Sequence, residues 1–384
     1  MVRARIDKLV PGGQGIATLD GGKKAFVWGV LPGELVDFEV TRNKRSYCEG
    51  VISKVIEASE KRVAPRDECY LSTSPWQVFD YDYELAEKAR LAEECFAQNH
   101  IVVKCKPAKT DGKDFFYRNK MEYSLFWDND SNDIKLAFHA RGSHRKVPII
   151  SSSIERPEIL SNALKIVNDL NAKKASARDY QALLARCSAD SRVSVALFVK
   201  GKPHPRMDLL TDKIMGHEYS YSPNGFFQIN LPLYEMVLDE IAKHIESEKV
   251  LDLYAGVGTI GLSVARNKDL KLVEVNASAF AELEKNALGT NAKTVLAKSE
   301  DVLEYIAPDT TVILDPPRAG CDNTLIDRLN EVVVPKIIYL SCNPITQARD
   351  IALLQEKYSL EYLQPFNFFP RTPHIENLAV LIAK

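Results

Sequence analysis

The sequence lacks the features of a disulfide-stabilised, zinc-bound or membrane-spanning protein. Its seven cysteines are an odd number, and no two of them are separated by exactly two residues. This usage fits free thiols in a reducing cytosol better than a disulfide scaffold, and it makes a structural zinc site unexpected. No apolar run approaches the length of a bilayer span, and no apolar signal core follows Met1. We therefore expect a cytoplasmic protein without a membrane partner.

The sequence also lacks an excess of charge of either sign. Its 50 Lys and Arg residues oppose 52 Asp and Glu residues, which gives a formal net charge of −2. That balance excludes a wholly basic coat for nucleic acid, although it permits a local basic face. No internal repeat or low-complexity tract interrupts the 384 residues, and 45% of them are hydrophobic. Such a chain is typical of a globular protein with two or three domains.

Strand and turn patterns divide the chain into three regions. Residues 1–58 hold short apolar runs separated by Gly and Pro turns, which predicts a five-stranded barrel of the oligonucleotide-binding type. Residues 59–215 mix strands with helices near 83–98 and 157–172, and we interpret them as a central α+β recognition domain or a scaffold. The first of these helices is free to pack on the third region. Residues 216–384 alternate strand and helix, which predicts a doubly wound α/β parallel sheet with an antiparallel hairpin at one edge.

A glycine-rich turn follows the first strand predicted in the third region. The run 250–259 reads Val-Leu-Asp-Leu-Tyr-Ala-Gly-Val-Gly-Thr, and Gly256 and Gly258 permit a tight bend with close approach of a ligand. The pattern Asp-x-x-x-Gly-x-Gly at a strand end suits a ligand without phosphate, such as S-adenosylmethionine. Glu274 ends the second strand, where a carboxylate can accept hydrogen bonds from ribose hydroxyls. The alternatives are that Gly256 and Gly258 form only a turn and that Glu274 is only a surface charge.

Two further positions offer polar groups to a ligand. An apolar strand stops at Asp315, and the two prolines that follow hold this carboxylate at the sheet edge, unless it is a solvated turn aspartate. Arg318 stands where amino-group methyltransferases typically carry an aromatic residue, which disfavours methylation of an exocyclic nitrogen. Gln228 offers an amide, or belongs to a helix-entry loop around a buried Phe226.

Another predicted strand ends at a cysteine, Cys342. Asn343 predicts a helix cap, and Pro344 suits the first helical position. A thiol beside the positive end of a helix dipole is expected to have a lowered pKa and to act as a nucleophile. The alternative is a buried cysteine that behaves as a small hydrophobe.

These strand ends are expected to meet at one edge of the sheet. In an open parallel sheet, ligands bind at the carboxyl ends of the strands. The residues at those ends are Tyr254, Glu274, Asp315 and Cys342. The loop 369–376 follows the sixth strand, so it should bring His374 and Glu376 to the same edge. A thiolate and a carboxylate across one pocket form a nucleophile with its base.

With these motifs, the chain resembles the RNA uracil-5-methyltransferase family, whose members form 5-methyluridine in tRNA and large-subunit rRNA. Five runs carry the resemblance in the family's order, at 226–230, 251–258, 315–320, 341–344 and 369–376. It implies a Rossmann-like methyltransferase sheet that binds S-adenosylmethionine. The cofactor-binding residues would be Gln228, Tyr254, Gly256, Gly258, Glu274 and Asp315. The N-terminal barrel resembles the TRAM module, an RNA-binding domain of many family members.

The resemblance also implies catalytic roles. Cys342 falls at the family's nucleophile, which attacks C6 of uracil, and Glu376 falls at the base that removes the C5 proton. The uridine must leave its stack to be reached, so the target should be a loop or a flipped nucleotide. The TRAM-like module favours 23S rRNA over tRNA as the substrate. We expect a monomer, because the chain has its own recognition domain.

One departure from the family pattern concerns an iron–sulfur cluster. Several members hold such a cluster with Cys-x5-Cys-Gly-Gly-Cys and a later cysteine. Here Cys69 is followed by Ser72-Thr73-Ser74, which stand about where the family has Gly-Gly-Cys. The position of the family's later cysteine falls within residues 150–154, which contain no cysteine. A single thiol cannot hold a four-thiolate cluster. We therefore expect no cluster and no other metal.

Two alternative functions remain open. Cytidine C5 methylation also uses a cysteine nucleophile, but those enzymes usually add a second catalytic cysteine in a Pro-Cys motif, which is absent from this sequence. The other alternative is a catalytically silent protein that binds or folds RNA. Retention of both Cys342 and Glu376 argues against lost chemistry.

Overall fold

The computed structural model describes all 384 residues. No helix in it is both long and apolar enough to cross a bilayer. The strands are β1 Val2–Arg5, β2 Lys8–Leu9, β3 Gly15–Thr18, β4 Lys24–Trp28, β5 Leu35–Asn43, β6 Tyr47–Glu57, β7 Lys120–Asp128, β8 Asp133–His139, β9 Lys146–Pro148, β10 Tyr180–Cys187, β11 Val193–Val199, β12 Leu210–Ile214, β13 His217–Tyr221, β14 Lys249–Leu253, β15 Asp269–Glu274, β16 Lys293–Leu296, β17 Thr310–Leu314, β18 Lys336–Ser341, β19 Tyr358–Phe366 and β20 Glu376–Ala383. The helices are α1 Tyr70–Thr73, α2 Tyr81–Ala97, α3 Pro157–Ala172, α4 Leu231–Ala242, α5 Thr259–Val264, α6 Ala277–Asn286, α7 Asn323–Val332 and α8 Pro344–Leu354.

The N-terminal strands form one six-stranded sheet in the order β1-β5-β6-β4-β3-β2. Its two edge strands are separated only by Ile6 and Asp7. The backbone N–H of Ile6 donates to the carbonyl of Glu34, and that of Asp7 donates to the carbonyl of Ile16. The two edges of the sheet therefore meet, as they do in a barrel. The first predicted strand is divided in two at this point, which is why the sheet has six strands where the sequence predicted five.

The central sheet has five antiparallel strands in the order β11-β10-β7-β8-β9. Helix α3 covers one of its faces and buries Ile159, Ala163 and Val167 there. Helix α2 belongs to this region in sequence but packs on the C-terminal sheet. Its residues Ala92 and Phe96 belong to the core under the C-terminal sheet.

The C-terminal sheet has seven strands in the order β16-β15-β14-β17-β18-β20-β19. Its first five strands are parallel, and β20 lies antiparallel between β18 and β19. The predicted α/β sheet and its antiparallel edge hairpin are confirmed. The helix predicted between β16 and β17 is wrong, because only two short 3-10 turns occur there, Ser299–Asp301 and Leu303–Tyr305. Val302 between them has non-helical backbone angles and is buried in the core.

A buried polar network joins the segment around Cys69 to residues 151–153. One carboxylate oxygen of Asp67 accepts hydrogen bonds from the Ser153 N–H at 2.9 Å, the Ser153 hydroxyl at 2.7 Å and the Gln77 amide at 2.8 Å. The Cys69 thiol donates to the Ser151 carbonyl at 3.6 Å. Nowhere in the structure are three or more His, Cys, Asp or Glu side chains grouped so as to hold a metal ion. Hydrogen bonds thus connect these two segments.

Replacing Asp67 by alanine should destabilise the protein by about 2–3 kcal/mol, because buried donors of Ser153 and Gln77 would lose their acceptor. Chemical denaturation measures this change in the free energy of unfolding. Asp130→Ala, at an exposed turn position, is the matched control and should change it by less than about 0.5 kcal/mol. Equal stability of the Asp67 variant and the control would contradict a structural role for this network.

Candidate active site

A cavity of about 1140 Å³ opens at the carboxyl ends of β14, β15 and β17. Five of the residues predicted to bind a cofactor line it, namely Gln228, Tyr254, Gly256, Glu274 and Asp315. The sixth, Gly258, does not line the cavity. Cys342 and Glu376 are also outside its lining. The topology thus brings residues from four separate motifs to one sheet edge.

The two glycines of the β14–α5 turn have different tasks. Gly256 has a φ of 57°, and a Cβ there would meet no atom within 4 Å, so its backbone faces open space in the cavity. Gly258 has a φ of 88°, and a Cβ there would lie 2.5 Å from Cδ1 of Leu283. Gly258 therefore permits the turn and the close packing of α6, whereas Gly256 exposes backbone to a ligand.

Two carboxylates hold this turn in place by accepting hydrogen bonds from backbone N–H groups. Glu274 accepts the backbone N–H of Gly256 at 2.8 Å and that of Asn276 at 2.6 Å. Asp252 accepts the N–H of Gly261 at 2.8 Å, and its other oxygen is buried without a partner. Burial raises the pKa of Asp252 to about 8. Each Glu274 oxygen keeps a second lone pair that a ribose hydroxyl can use.

The lining of the cavity fits S-adenosylmethionine. Glu274 offers acceptors for ribose hydroxyls, and the apolar surfaces of Val275 and Ala297 suit a purine ring. The exposed backbone of Gly256 allows a ligand to approach without a side chain between them. Gln228 and Asp315 add an amide and a carboxyl to the lining of the same cavity. This mixture of apolar faces and few polar groups is typical of a cofactor pocket.

The sheet register brings the predicted nucleophile and base together. Ser341 at the end of β18 pairs with Asn377 near the start of β20, so Cys342 and Glu376 are the residues next to this pair. Asn343 caps α8, and its side chain accepts the N–H of Ile345 at 3.3 Å. The predicted cap and the first helical position at Pro344 are confirmed.

The lowered thiol pKa expected for Cys342 is wrong. Burial and the carboxylates of Glu376 and Asp315 together raise the pKa of this thiol to about 11, against the opposing charge of Arg318. The pKa of Glu376 is raised well above its ordinary value by burial and by Asp315. Burial also raises the pKa of Asp315. Two nearby carboxyl groups and desolvation thus outweigh the helix terminus.

Alkylation of Cys342 by iodoacetamide should therefore be slow at pH 7 and rise about tenfold per pH unit toward pH 11, because only the thiolate reacts. Cys342 is the one cysteine that is not fully buried, so it should be modified first. Peptide mass spectrometry after timed labelling measures the rate at each pH. A rate that is already at its plateau at pH 7 would show a lowered pKa and contradict this description.

A buried ionic network anchors the loop that leads to Glu376. Lys88 and Glu84 of α2 have fully buried side chains 3.1 Å apart. Glu84 accepts the backbone N–H of Arg371 at 3.0 Å, and Lys88 donates to the Phe369 carbonyl at 3.0 Å. Arg371, with a φ of 63°, also donates to the Phe79 carbonyl at 2.7 Å. Helix α2 therefore fixes the loop that leads to Glu376.

Sequence reasoning missed two features of the site. Arg318 lies beside the thiol, where its charge opposes the rise in the pKa of Cys342, and its guanidinium is 3.4 Å from Nδ1 of His374. The position of Arg318 directly after two prolines was the sequence signal that could have identified it as a site residue. Phe226 is 76% exposed, and Phe227 is the buried member of the pair. Phe226 lines the cavity.

The chain is similar to known RNA methyltransferases. The tRNA (uracil-5-)-methyltransferase family profile matches residues 303–384, which include Asp315, Cys342 and Glu376. A second profile, conserved hypothetical protein 95, matches residues 233–340. An uncharacterized RNA methyltransferase of Bacillus cereus is 28% identical over 94% of this chain and 92% of its own. The chain is therefore similar to the RNA uracil-5-methyltransferase family, and the resemblance predicted from the five motifs is confirmed.

Other relatives extend the comparison over the whole length. An uncharacterized RNA methyltransferase of Staphylococcus aureus is 28% identical over 97% of this chain and 96% of its own. The crystal structure of the Pyrococcus abyssi tRNA (uracil-54, C5)-methyltransferase in complex with S-adenosyl-L-homocysteine has a TM-score of 0.81. It covers 99% of this chain and 100% of its own at 24% identity. This likeness shows that the two proteins share the fold.

Proposed function

We propose that this protein transfers a methyl group from S-adenosylmethionine to C5 of a uridine in RNA, through a transient bond between Cys342 and C6. The meeting of Cys342 and Glu376 at adjacent ends of β18 and β20 carries this proposal. Asp315 links these two residues to the cavity, because it lines the cavity and its charge acts on both of them.

The proposed chemistry requires both residues. Attack of the Cys342 thiolate forms the S–C6 bond and makes C5 a nucleophilic enolate carbon, which takes up the methyl group. Glu376 then removes the C5 proton, and elimination breaks the S–C6 bond and frees Cys342. When bound, S-adenosylmethionine supplies the methyl group on a positively charged sulfonium, a charge that also offsets the two buried carboxylates.

The charges around the thiol determine when it becomes reactive. With a pKa of about 11, Cys342 is almost wholly protonated at neutral pH. Its proton must pass to a carboxylate, and Glu376 and Asp315 are the groups whose charges act on it. Because burial raises the pKa of both carboxyls, either one is a stronger base than an exposed carboxylate. Arg318 stabilises the thiolate once it forms.

We further propose that the N-terminal barrel is a TRAM-type RNA-binding domain and that 23S rRNA is favoured over tRNA. The preference for rRNA rests on the barrel alone. The P. abyssi protein, named for a tRNA substrate, matches this chain over 99% of its length, so both RNAs belong in the test. A monomer in the cytoplasm completes the proposal, since seven free thiols suit a reducing compartment.

The test is nucleoside analysis of RNA after incubation with the purified protein and S-adenosylmethionine. Unmodified tRNA and large-subunit rRNA are kept in separate tubes. New 5-methyluridine in the rRNA tube is the expected result, and 5-methyluridine in the tRNA tube alone would overturn only the choice of substrate. Formation of 5-methylcytidine would support the cytidine alternative, and no methylated nucleoside in either tube would favour a silent RNA-binding protein.

A further inference from the structure

Helix α3 packs across one face of the central sheet, and no comparable helix packs across the other face. The strand registers place Ser124 of β7 opposite Ala137 of β8, and Ala182 of β10 opposite Phe198 of β11. Because side chains alternate along a strand, this face holds every second residue, whereas the intervening residues pack under α3. Small side chains form part of its floor, beside Leu184 of β10. We call this surface the open face of the central sheet.

Aromatic side chains stand on the open face. Phe126 of β7 lies opposite Lys135 of β8 and is only partly buried. Phe198 on the edge strand β11 is also partly buried, and the ring of His204 meets it edge-on with centroids 5.1 Å apart. A sheet that displays half-exposed aromatic rings above small residues is a surface on which unpaired bases can stack.

Cations without carboxylate partners surround these rings. Lys135, Lys146 and Lys200 form no salt bridge, although 23 ion pairs occur elsewhere in the molecule. Lys146 crosses the open face to donate to the Leu125 carbonyl at 2.6 Å, and the nearby charge of Lys200 contributes to lowering its pKa after burial. Glu122, Asp128 and Asp133 are the acidic residues of the face. With Lys120 at the start of β7, four lysines against three acids leave one positive charge that suits a phosphodiester backbone.

The open face leads to the candidate active site. Lys120, at the start of β7, donates to the Asn224 carbonyl at 3.0 Å and to the Gly225 carbonyl at 2.9 Å. Both of these residues and the exposed ring of Phe226 line the cavity. From Lys120 to Phe126 the strand spans about 20 Å. A strand of RNA that enters the cavity at Phe226 can therefore continue along this face.

We propose that the open face binds the single-stranded nucleotides that flank the target uridine, with Phe126 and Phe198 stacking on bases and Lys135 and Lys146 contacting phosphates. This inference rests on the proposed function for its choice of RNA. A duplex keeps its bases in the stack and cannot use the aromatic rings, so the surface selects a loop or an unpaired segment. Charge complementarity favours RNA over a second copy of this chain, whose formal charge is −2.

Binding of two fluorescein-labelled RNAs, a single-stranded 12-mer of mixed sequence and a duplex of 12 base pairs, tests the proposal. Wild-type protein should bind the single strand more tightly. The F126L/F198L variant keeps apolar bulk but loses the rings, and it should weaken single-strand binding by roughly 5-fold or more. K135Q/K146Q should reduce the slope of log affinity against log salt by about 1.4, since each phosphate contact contributes about 0.7.

The matched control is K165Q/K173Q, which removes the same charge from α3 and the residue after it, on the opposite side of the domain. It should leave the salt slope for the single strand unchanged. Tighter binding of the duplex, or an equal effect of the control and K135Q/K146Q, would overturn the proposal. So would a dimer seen by sedimentation that F126L/F198L dissociates, because a second copy would then cover the face.

Methyl transfer separates this inference from the proposed function. With a methylatable RNA, the open-face variants should raise KM and keep kcat, because the chemistry at Cys342 is untouched. Unchanged KM and kcat in those variants would refute the open face and leave the proposed function standing. Loss of single-strand binding in the variants, together with no methylation by wild-type protein, would refute the proposed function and leave the open face standing.

Discussion

Replacement of Cys342 by alanine should abolish formation of 5-methyluridine, with a loss of at least about 10³-fold in kcat. C5 of uracil is too weak a nucleophile to take a methyl group unless a bond at C6 first pushes electrons onto it. No other thiol is placed to substitute, because the remaining six cysteines are buried, and burial raises the pKa of Cys321, the one among them that lines the cavity, to about 12. Transfer of a radioactive methyl group into RNA measures the loss directly.

The control for this variant is Cys48→Ala, which removes a buried thiol from the N-terminal barrel. It should retain kcat within about twofold, since it alters no group near the sheet edge. Methylation by Cys342→Ala at more than about a tenth of the wild-type rate would show that the reaction proceeds without this thiol.

Replacement of Glu376 by glutamine should stop turnover at a later point and trap RNA on the protein. Glutamine fills nearly the same volume but cannot accept the C5 proton, so elimination fails after Cys342 has bonded to C6. The expected loss in turnover is about 10²–10⁴-fold. A covalent protein–RNA species should accumulate, and a denaturing gel with labelled RNA measures it.

Two further variants make this result specific. Glu361→Gln carries the same change at an exposed position of β19 and should neither lose turnover nor accumulate the covalent species. The double variant Cys342→Ala/Glu376→Gln should lose the species altogether. Persistence of the species in the double variant would assign the bond to another residue, and full turnover by Glu376→Gln would remove Glu376 from its proposed role.

Much of the catalytic sheet could be predicted because its signals are local. Each strand that ends in a polar or reactive residue sits next to a turn or cap signal, as at Gly256 and Asn343, and strand ends of a parallel sheet share one edge. The antiparallel hairpin was readable from the short loop before Glu376. These rules brought Tyr254, Asp315 and Cys342 to one place without knowledge of any side-chain contact.

What could not be predicted depends on contacts between distant parts of the chain. The partners Glu84 and Arg371 are 287 residues apart, and no local pattern in either segment indicates the other. The thiol pKa is a second case. The helix terminus beside Cys342 was visible in the sequence, but the burial and the two carboxyls that outweigh it arise only on folding. Val302, where a helix was predicted, likewise has non-helical backbone angles and lies in a core that forms only on folding.

The most direct test of the central claim is the mass of the protein after incubation with S-adenosylmethionine and an RNA whose target uridine carries fluorine at C5. Fluorine cannot be removed as a proton, so elimination should fail in the wild-type protein. The expected result is a stable adduct that carries one transferred methyl group and maps to the Cys342 peptide. Methylation of ordinary RNA by the same preparation, without any adduct to the fluorinated RNA or with an adduct at another residue, would contradict it.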